Sequence, residues 1–455
     1  METQAKPAVA PSPLPLAWLT ALTLVGALVM GGGQGWLGDR LLAVPALLAG
    51  LWGGWWLLTT QPSPARSFWI LPLALVGLPL LQLVPLPAAW VALLPGRSTY
   101  LAELASVGAA PTWQTWTLSP FDTERVLWAA CVPAGLYVAT GCLSLRQRRW
   151  LVALLLVGAF VGTFVGLAQR LHGPESPLYF YARTNAGQAV GQFANSNHLA
   201  AFLACLLPVT AGFLADRIRS RRDRRKTDAR DLWKWLLVLM MIVLAVGTTM
   251  TRSRAGFGLL LVSGVLSVVM VWLAPRRDGA WLGSAQAWLQ LTTLVIAVLL
   301  VQYTLYGVLM RLEKDPLDEY RWLMMVRTLE AAQPFGGWGV GLGTFMDAYG
   351  QLGDVTADIS TIVNHAHNDY AELWFEGGVP AIVILVIVLA QVARAGYREL
   401  WRPVKTSPDR GMVLGSSLAL LLLALHSLVD YPLRTTTIAA TAAVLASLLL
   451  APERD

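Results

Sequence analysis

Residues 364–381 read N-H-A-H-N-D-Y-A-E-L-W-F-E-G-G-V-P-A, a dense ionisable stretch set directly before an apolar run that continues to Val392. Asp369 followed three residues on by Glu372 has the pattern of a capping box, so a short helix is expected to begin near Asp369. The Gly377-Gly378 pair ahead of Pro380 is expected to end it. From Val379 onward the chain is apolar enough to enter a bilayer. His365 and His367 therefore sit at a membrane surface, where an imidazole that titrates near neutral pH can serve as a catalytic base or handle a proton.

Composition sets the class. Of 455 residues, 56% are hydrophobic, only 13% are charged and 20 are Trp, where a soluble domain carries about 25% charged residues. An all-α polytopic membrane protein follows, read as one transmembrane unit over residues 1–455. Cys131, Cys142 and Cys205 all lie in apolar stretches, which gives neither a disulfide framework nor a Cys-rich metal site. About twelve stretches can cross a membrane: 16–30, 41–58, 68–84, 126–143, 151–168, 198–214, 232–250, 255–273, 289–309, 379–392, 413–428 and 435–450. The topology requires that the first is retained rather than cleaved as a signal peptide.

Basic residues orient the spans, because short cytoplasmic loops carry the Lys/Arg excess. Arg146, Arg148 and Arg149 follow the fourth span, the run from Arg217 to Lys226 the sixth, Arg276 and Arg277 the eighth, and Arg394 to Arg410 the tenth. All four loops fall on one side, so that side is cytoplasmic and both termini join it. The Arg217 to Lys226 run reads as topogenic, with membrane lipid as its neighbour and no nucleic acid as partner. The other face holds loops 85–125, 169–197, 311–375 and 430–434, and all five histidines.

The large loop, 311–375, has internal pattern. Trp322, Met325, Val326 and Leu329 fall at helical spacing with Arg321 and Thr328 on another face, which predicts a helix on the membrane surface or over the bundle until Pro334. Gly337, Gly339, Gly341 and Gly343 alternate after it. No strand precedes them and no G-K-[ST] follows, so they read as a tight turn, or as a nest of N–H groups that holds an anion, rather than as a nucleotide loop. Asn197 or Ser196 caps the sixth span on its sequence pattern. Asp430 and Arg434 read as an external ion pair.

Taken in order, F-x-N-x-N-H at 193–198, S-R-A-G at 253–256, R-W at 321–322, P-x-x-G-x-G-x-G-x-G-x-F at 334–345, H-N-D-Y-x-E-L at 367–373 and E-G-G at 376–378 resemble the O-antigen ligase and O-antigen polymerase superfamily. The motifs cover residues 190–435. The ligase signature, H-[NSQ], nine residues and G-x-x-[GTY], is met at His367, Asn368 and Gly378 and departed from at Ala381, which leaves ligase and polymerase both open. The resemblance implies an inverting, metal-independent glycosyltransferase without cofactor, at the periplasmic face of a bacterial inner membrane. Its donor would be a polyprenyl (undecaprenyl)-diphosphate glycan, and its acceptor lipid A-core or a growing glycan. By the same resemblance His367 is the base and Arg254 and Arg321 bind the diphosphate, with Arg183 a third candidate. Asn197, Asn368, Tyr370, Glu372 and Glu376 are candidates for contacts with the sugars or for orienting the imidazole. From the residues alone, the external loops contain no D-x-D, so arginine rather than a divalent metal must neutralise a diphosphate. His365 competes with His367, H-x-H-x-D can also bind a metal, and arginines near spans also suit a small-anion transporter or plain snorkelling.

Overall fold

Hydrocarbon offers no water to a peptide group, so each apolar run must close its hydrogen bonds within itself, as a helix. The computed structural model describes residues 13–33, 35–60, 64–219, 227–272, 317–350, 364–402 and 409–451. Helices occupy eleven of the twelve expected spans. The remaining one, 289–309, lies outside the described residues, as do Arg221 to Lys226, Arg276, Arg277 and Lys405.

The chain begins with α1 (Leu14–Met30), α2 (Trp36–Thr59) and α3 (Ile70–Leu83). A loop follows in which β1 (Pro85–Pro87) pairs antiparallel with β2 (Trp113–Thr115) around α4 (Ala88–Val91) and α5 (Arg97–Ser106). Next come α6 (Pro120–Cys142), α7 (Leu145–His172), α8 (Ser196–Arg219), α9 (Thr227–Met250) and α10 (Arg254–Trp272). The large loop carries α11 (Leu317–Ala332) and α12 (Phe345–Gly350), and the chain closes with α13 (Asp369–Trp401), α14 (Arg410–His426) and α15 (Thr436–Leu450). By length and composition, eight of the described helical stretches can cross a membrane, α3 counted together with the 3-10 turn Arg66–Trp69 before it, while α1, α14 and α15 are shorter and apolar.

The bundle is built on α8, whose apolar side chains are almost all buried. Pro208 lies inside this helix and has no N–H, so the carbonyl four residues back, at Ala204, loses its partner. Ser263 of α10 supplies one, its Oγ donating to Ala204 O at 2.6 Å. On the other side α14 crosses so closely that a Cβ at Gly415 would stand 2.3 Å from Pro208 O. Small residues allow this approach, which is how helices pack where burial from water no longer drives association.

The turns sort into two faces. On one, Asp216 accepts from Gly411 N and Met412 N at 2.7 and 2.9 Å, Arg149 donates to Asp409, and Arg148 donates to the last carbonyls of α6 at Gly141 and Leu143. Basic residues thus satisfy helix C-termini there. On the other face Thr437 N donates to Gly31 O, Leu118 N to Val340 O and Asp369 N to Ser427 O, which joins the loops that hold the histidines. In α11 the small residues Thr328, Ala331 and Ala332 are buried, while Trp322 is 68% exposed, so this helix does not turn its expected apolar face inward.

Ser263→Ala would leave the Ala204 carbonyl without its donor inside the bundle. A loss of about 0.6 to 1.7 kcal/mol is expected, read as a lower melting temperature of the detergent-solubilised protein, and an unchanged melt would mean that the Ala204 carbonyl does not need this donor.

Candidate active site

The N-terminus of α13 is fixed by Asn368, not by the expected Asp369 box. Asn368 Oδ1 accepts from Tyr370 N and Ala371 N, both at 3.0 Å, while its Nδ2 donates to Leu428 O at 2.9 Å. The Glu372 side chain is drawn instead to the preceding segment, where its oxygens meet His365 Nδ1 at 2.7 Å and Ala366 N at 2.9 Å. Asp369 binds Ser427 Oγ at 2.8 Å, and Tyr370 donates its hydroxyl to Ala424 O at 2.5 Å. The start of α13 is therefore stapled to the end of α14. Residues 364–368 are held from both sides, and His367 takes a left-handed backbone with φ 50°. Among the described residues only Arg252 is another non-glycine with positive φ, a conformation that costs energy and gathers at functional sites.

Around His367 the chain assembles a cluster of rings. Tyr431 lies at its centre, with ring centroids 4.1 Å from His365 and 5.1 Å from both His198 and His367. Asn364 and Asn195 hydrogen-bond its side chain. Burial, then the Asp430 carboxylate, push the Tyr431 phenol up to about 12. Asp430 is fully buried and faces His367, Oδ1 to Nδ1 at 3.5 Å, with His426 Nε2 4.0 Å from Oδ2. Burial alone would raise Asp430, but His367, His198 and His426 hold its carboxyl well below the usual range. His365 is buried on Glu372, whereas His367 keeps 20% of its side chain exposed.

A second group of charges lies behind this cluster. Arg434 does not pair with Asp430. It reaches Glu376 at 2.7 Å, Glu372 at 3.3 Å and Asp369 at 3.5 Å, three carboxylates from one face of α13. Burial works against its charge, but Glu372, Glu376 and Asp369 raise the guanidinium above its ordinary range. Glu376 also accepts from Phe345 N at 3.1 Å and from the Gly343 backbone, so the anion held by the alternating glycines is the protein's own carboxylate. The expected break at the glycine pair is present, since Gly378 has φ 58° and divides α13 before Pro380. A Cβ there would stand 2.2 Å from Gly337 O, and one at Gly339 would stand 2.5 Å from Glu376 O. The glycine-rich segment docks flush against the broken helix, with Val340 N and Gly341 N donating to Phe375 O and Glu376 O at 2.9 Å.

The candidate residues of the sequence divide accordingly. His367 lies in the cluster, while Asn368, Tyr370, Glu372 and Glu376 direct their side-chain polar atoms to protein partners that shape it. Asn197 donates its backbone N–H to Asn195 Oδ1 at 2.9 Å, so Asn195 caps α8 in place of the expected Asn197 or Ser196. Arg254 is half-buried at the start of α10, whose Gly256 packs on Ala200, two residues beyond His198. Arg321 is half-buried on α11, close enough to His426 for its charge to be felt there. Arg183 is exposed on the 173–195 loop and takes no part in these contacts. His198, His426, Asp430, Tyr431 and Arg434 belong to the site without having been named for it. The signal was the His426–Asp430 spacing of four at a helix end. Among the described residues no group of three or more His, Cys, Asp or Glu side chains is disposed to hold a metal ion.

Removing Arg434 would strand three carboxylates in the interior. Arg434→Leu is expected to lose at least about 3 kcal/mol of stability and Arg434→Lys much less. Thermal melting in detergent measures both, and a wild-type melt for the Leu variant would mean that the carboxylates do not depend on Arg434.

Residues 236–386 match the family model described as O-antigen ligase, a stretch that contains Arg254, Arg321, His365, His367, Glu372 and Glu376. No curated protein matches the chain. Over residues 236–386, about a third of the chain, the protein is thus similar to the O-antigen ligase family.

Proposed function

We propose that this glycosyltransferase of the O-antigen ligase and polymerase type moves a glycan from a polyprenyl diphosphate to an acceptor hydroxyl, at the periplasmic face of a bacterial inner membrane. The observation that carries the reading is His367: a strained, partly exposed imidazole backed on Nδ1 by the buried carboxylate of Asp430. Such a pairing leaves Nε2 as the atom that takes a proton and steadies the imidazolium that results.

The reaction is one displacement. The acceptor oxygen forms a bond to the anomeric carbon as its proton passes to His367 Nε2, and the bond from that carbon to the diphosphate oxygen breaks with the electron pair leaving on the diphosphate. Arg254 and Arg321 would neutralise the anion, with Arg183 as an outer contact; guanidinium groups suit phosphate because they bind in pairs of hydrogen bonds. Asn197, Asn368, Tyr370, Glu372 and Glu376 act by holding the site in shape. Lipid A-core and a growing repeat-unit glycan are both acceptors of this chemistry.

His367→Ala should lower transfer from an undecaprenyl-diphosphate-linked glycan by about 10²- to 10⁴-fold, the share of a positioned base, with an unchanged melting temperature. His365→Ala should instead lower the melting temperature, because Glu372 loses one of its donors, and should lower the rate less. A His367→Ala enzyme that turns over like wild type would remove the base from this mechanism.

A further inference from the structure

His426 is the last residue of α14 and is 2% exposed, yet neither ring nitrogen has a hydrogen-bond partner among the described residues. Asp430 Oδ2 is buried and equally without one, and it is the atom that His426 Nε2 faces at 4.0 Å. The backbone fixes the pair, because Asp430 N donates to His426 O at 3.1 Å and places the two side chains one helical turn apart. Leaving two such atoms buried and unpaired is costly, whereas side-chain torsions can close a gap of about 1 Å within their rotamer wells.

We infer that His426 is a positioning residue: its Nε2–H donates to Asp430 Oδ2 and so holds Oδ1 of the same carboxylate on His367 Nδ1. The inference rests on the reading of His367 as the base. Asp430 Oδ1 accepts from Tyr431 N at 3.0 Å and faces His367 Nδ1 at 3.5 Å. With Oδ2 unheld the carboxylate could pivot about the Tyr431 contact, which would weaken its hold on the imidazolium formed in the transition state, as happens when the orienting partner of a working imidazole is lost. The other titratable or charged groups around the pair are His198 from α8, His365 from the 364–368 segment, Tyr431 and Arg321 from α11. None of these hydrogen-bonds Oδ2.

The test measures transfer from an undecaprenyl-diphosphate-linked glycan by His426→Leu, His426→Gln, Asp430→Asn and the double variant His426→Leu/Asp430→Asn. His426→Leu should lower kcat roughly 10- to 100-fold while leaving KM for the donor within about two-fold, because the residue does not touch the donor. His426→Gln, whose amide donates at similar reach, should recover most of the rate. In the Asp430→Asn background the Leu substitution should add little, since the carboxylate it acts through is already gone. If the Leu protein does not insert, His426→Asn, too short to reach Oδ2, takes its place in each comparison. A wild-type kcat in the Leu or Asn protein, a failure of Gln to rescue, or an effect that multiplies independently with Asp430→Asn would overturn the inference. His367→Ala measured alongside separates the two levels: if it is active, the base assignment has failed, and if it is inactive while His426→Leu is normal, only the role of His426 has failed.

Discussion

One guanidinium answers three carboxylates at the end of this bundle, and the shape of the site depends on it. Asp369, Glu372 and Glu376 project from the first turns of α13, where burying three unpaired anions would cost far more than a domain's whole stability margin. Arg434 returns from the short turn before α15 to meet all three. With its charge balanced, Glu376 can hold the glycine-rich segment by Gly343 and Phe345, and Glu372 can hold His365 and Ala366. The same carboxylates that make the helix end acidic thus become the framework of the loops around it.

That framework leaves the His367 side chain partly exposed. Asn368 and Glu372 pin the segment on either side of it, and the backbone between them is forced into the left-handed region. Strain of this kind persists where surrounding contacts over-determine it. Two imidazoles only two residues apart then have different fates. His365 is sealed against Glu372 and stacked on Tyr431, while His367 retains access to the outside with Asp430 behind it. A motif of two histidines thus provides one buried ring and one that is partly exposed.

Most of the bundle was legible in the sequence because an apolar run in a membrane has one way to satisfy its amides. The helix at Asp369, the break at Gly378 and the end of α11 before Pro334 were legible for local reasons, capping chemistry and the φ preferences of Gly and Pro. What failed was pairing across the fold. Asp430 and Arg434 are neighbours in sequence with opposite charge, and nearness suggested a pair; in space each serves a different cluster, because the turn between them directs one side chain to the histidines and the other to α13. The cap of α13 was placed one residue late for a related reason. Asp369 and Glu372 match a capping box, but both carboxylates are claimed by distant partners, and Asn368 is left to do the capping. Glu376 filling the glycine nest is likewise a long-range event, invisible to spacing.

Under the proposed mechanism His367 is the base, and among the described residues the carboxylates around it are engaged, Asp369, Glu372 and Glu376 by Arg434 and Asp430 behind His367. The proposed mechanism is then a single displacement at the anomeric carbon. The most direct measurement is the configuration of the new glycosidic bond, read from the anomeric coupling constant of the product made from a donor of known configuration. Inversion is the result expected of His367 acting as the sole base, and retention, which requires a covalent intermediate on an enzyme nucleophile, would contradict it.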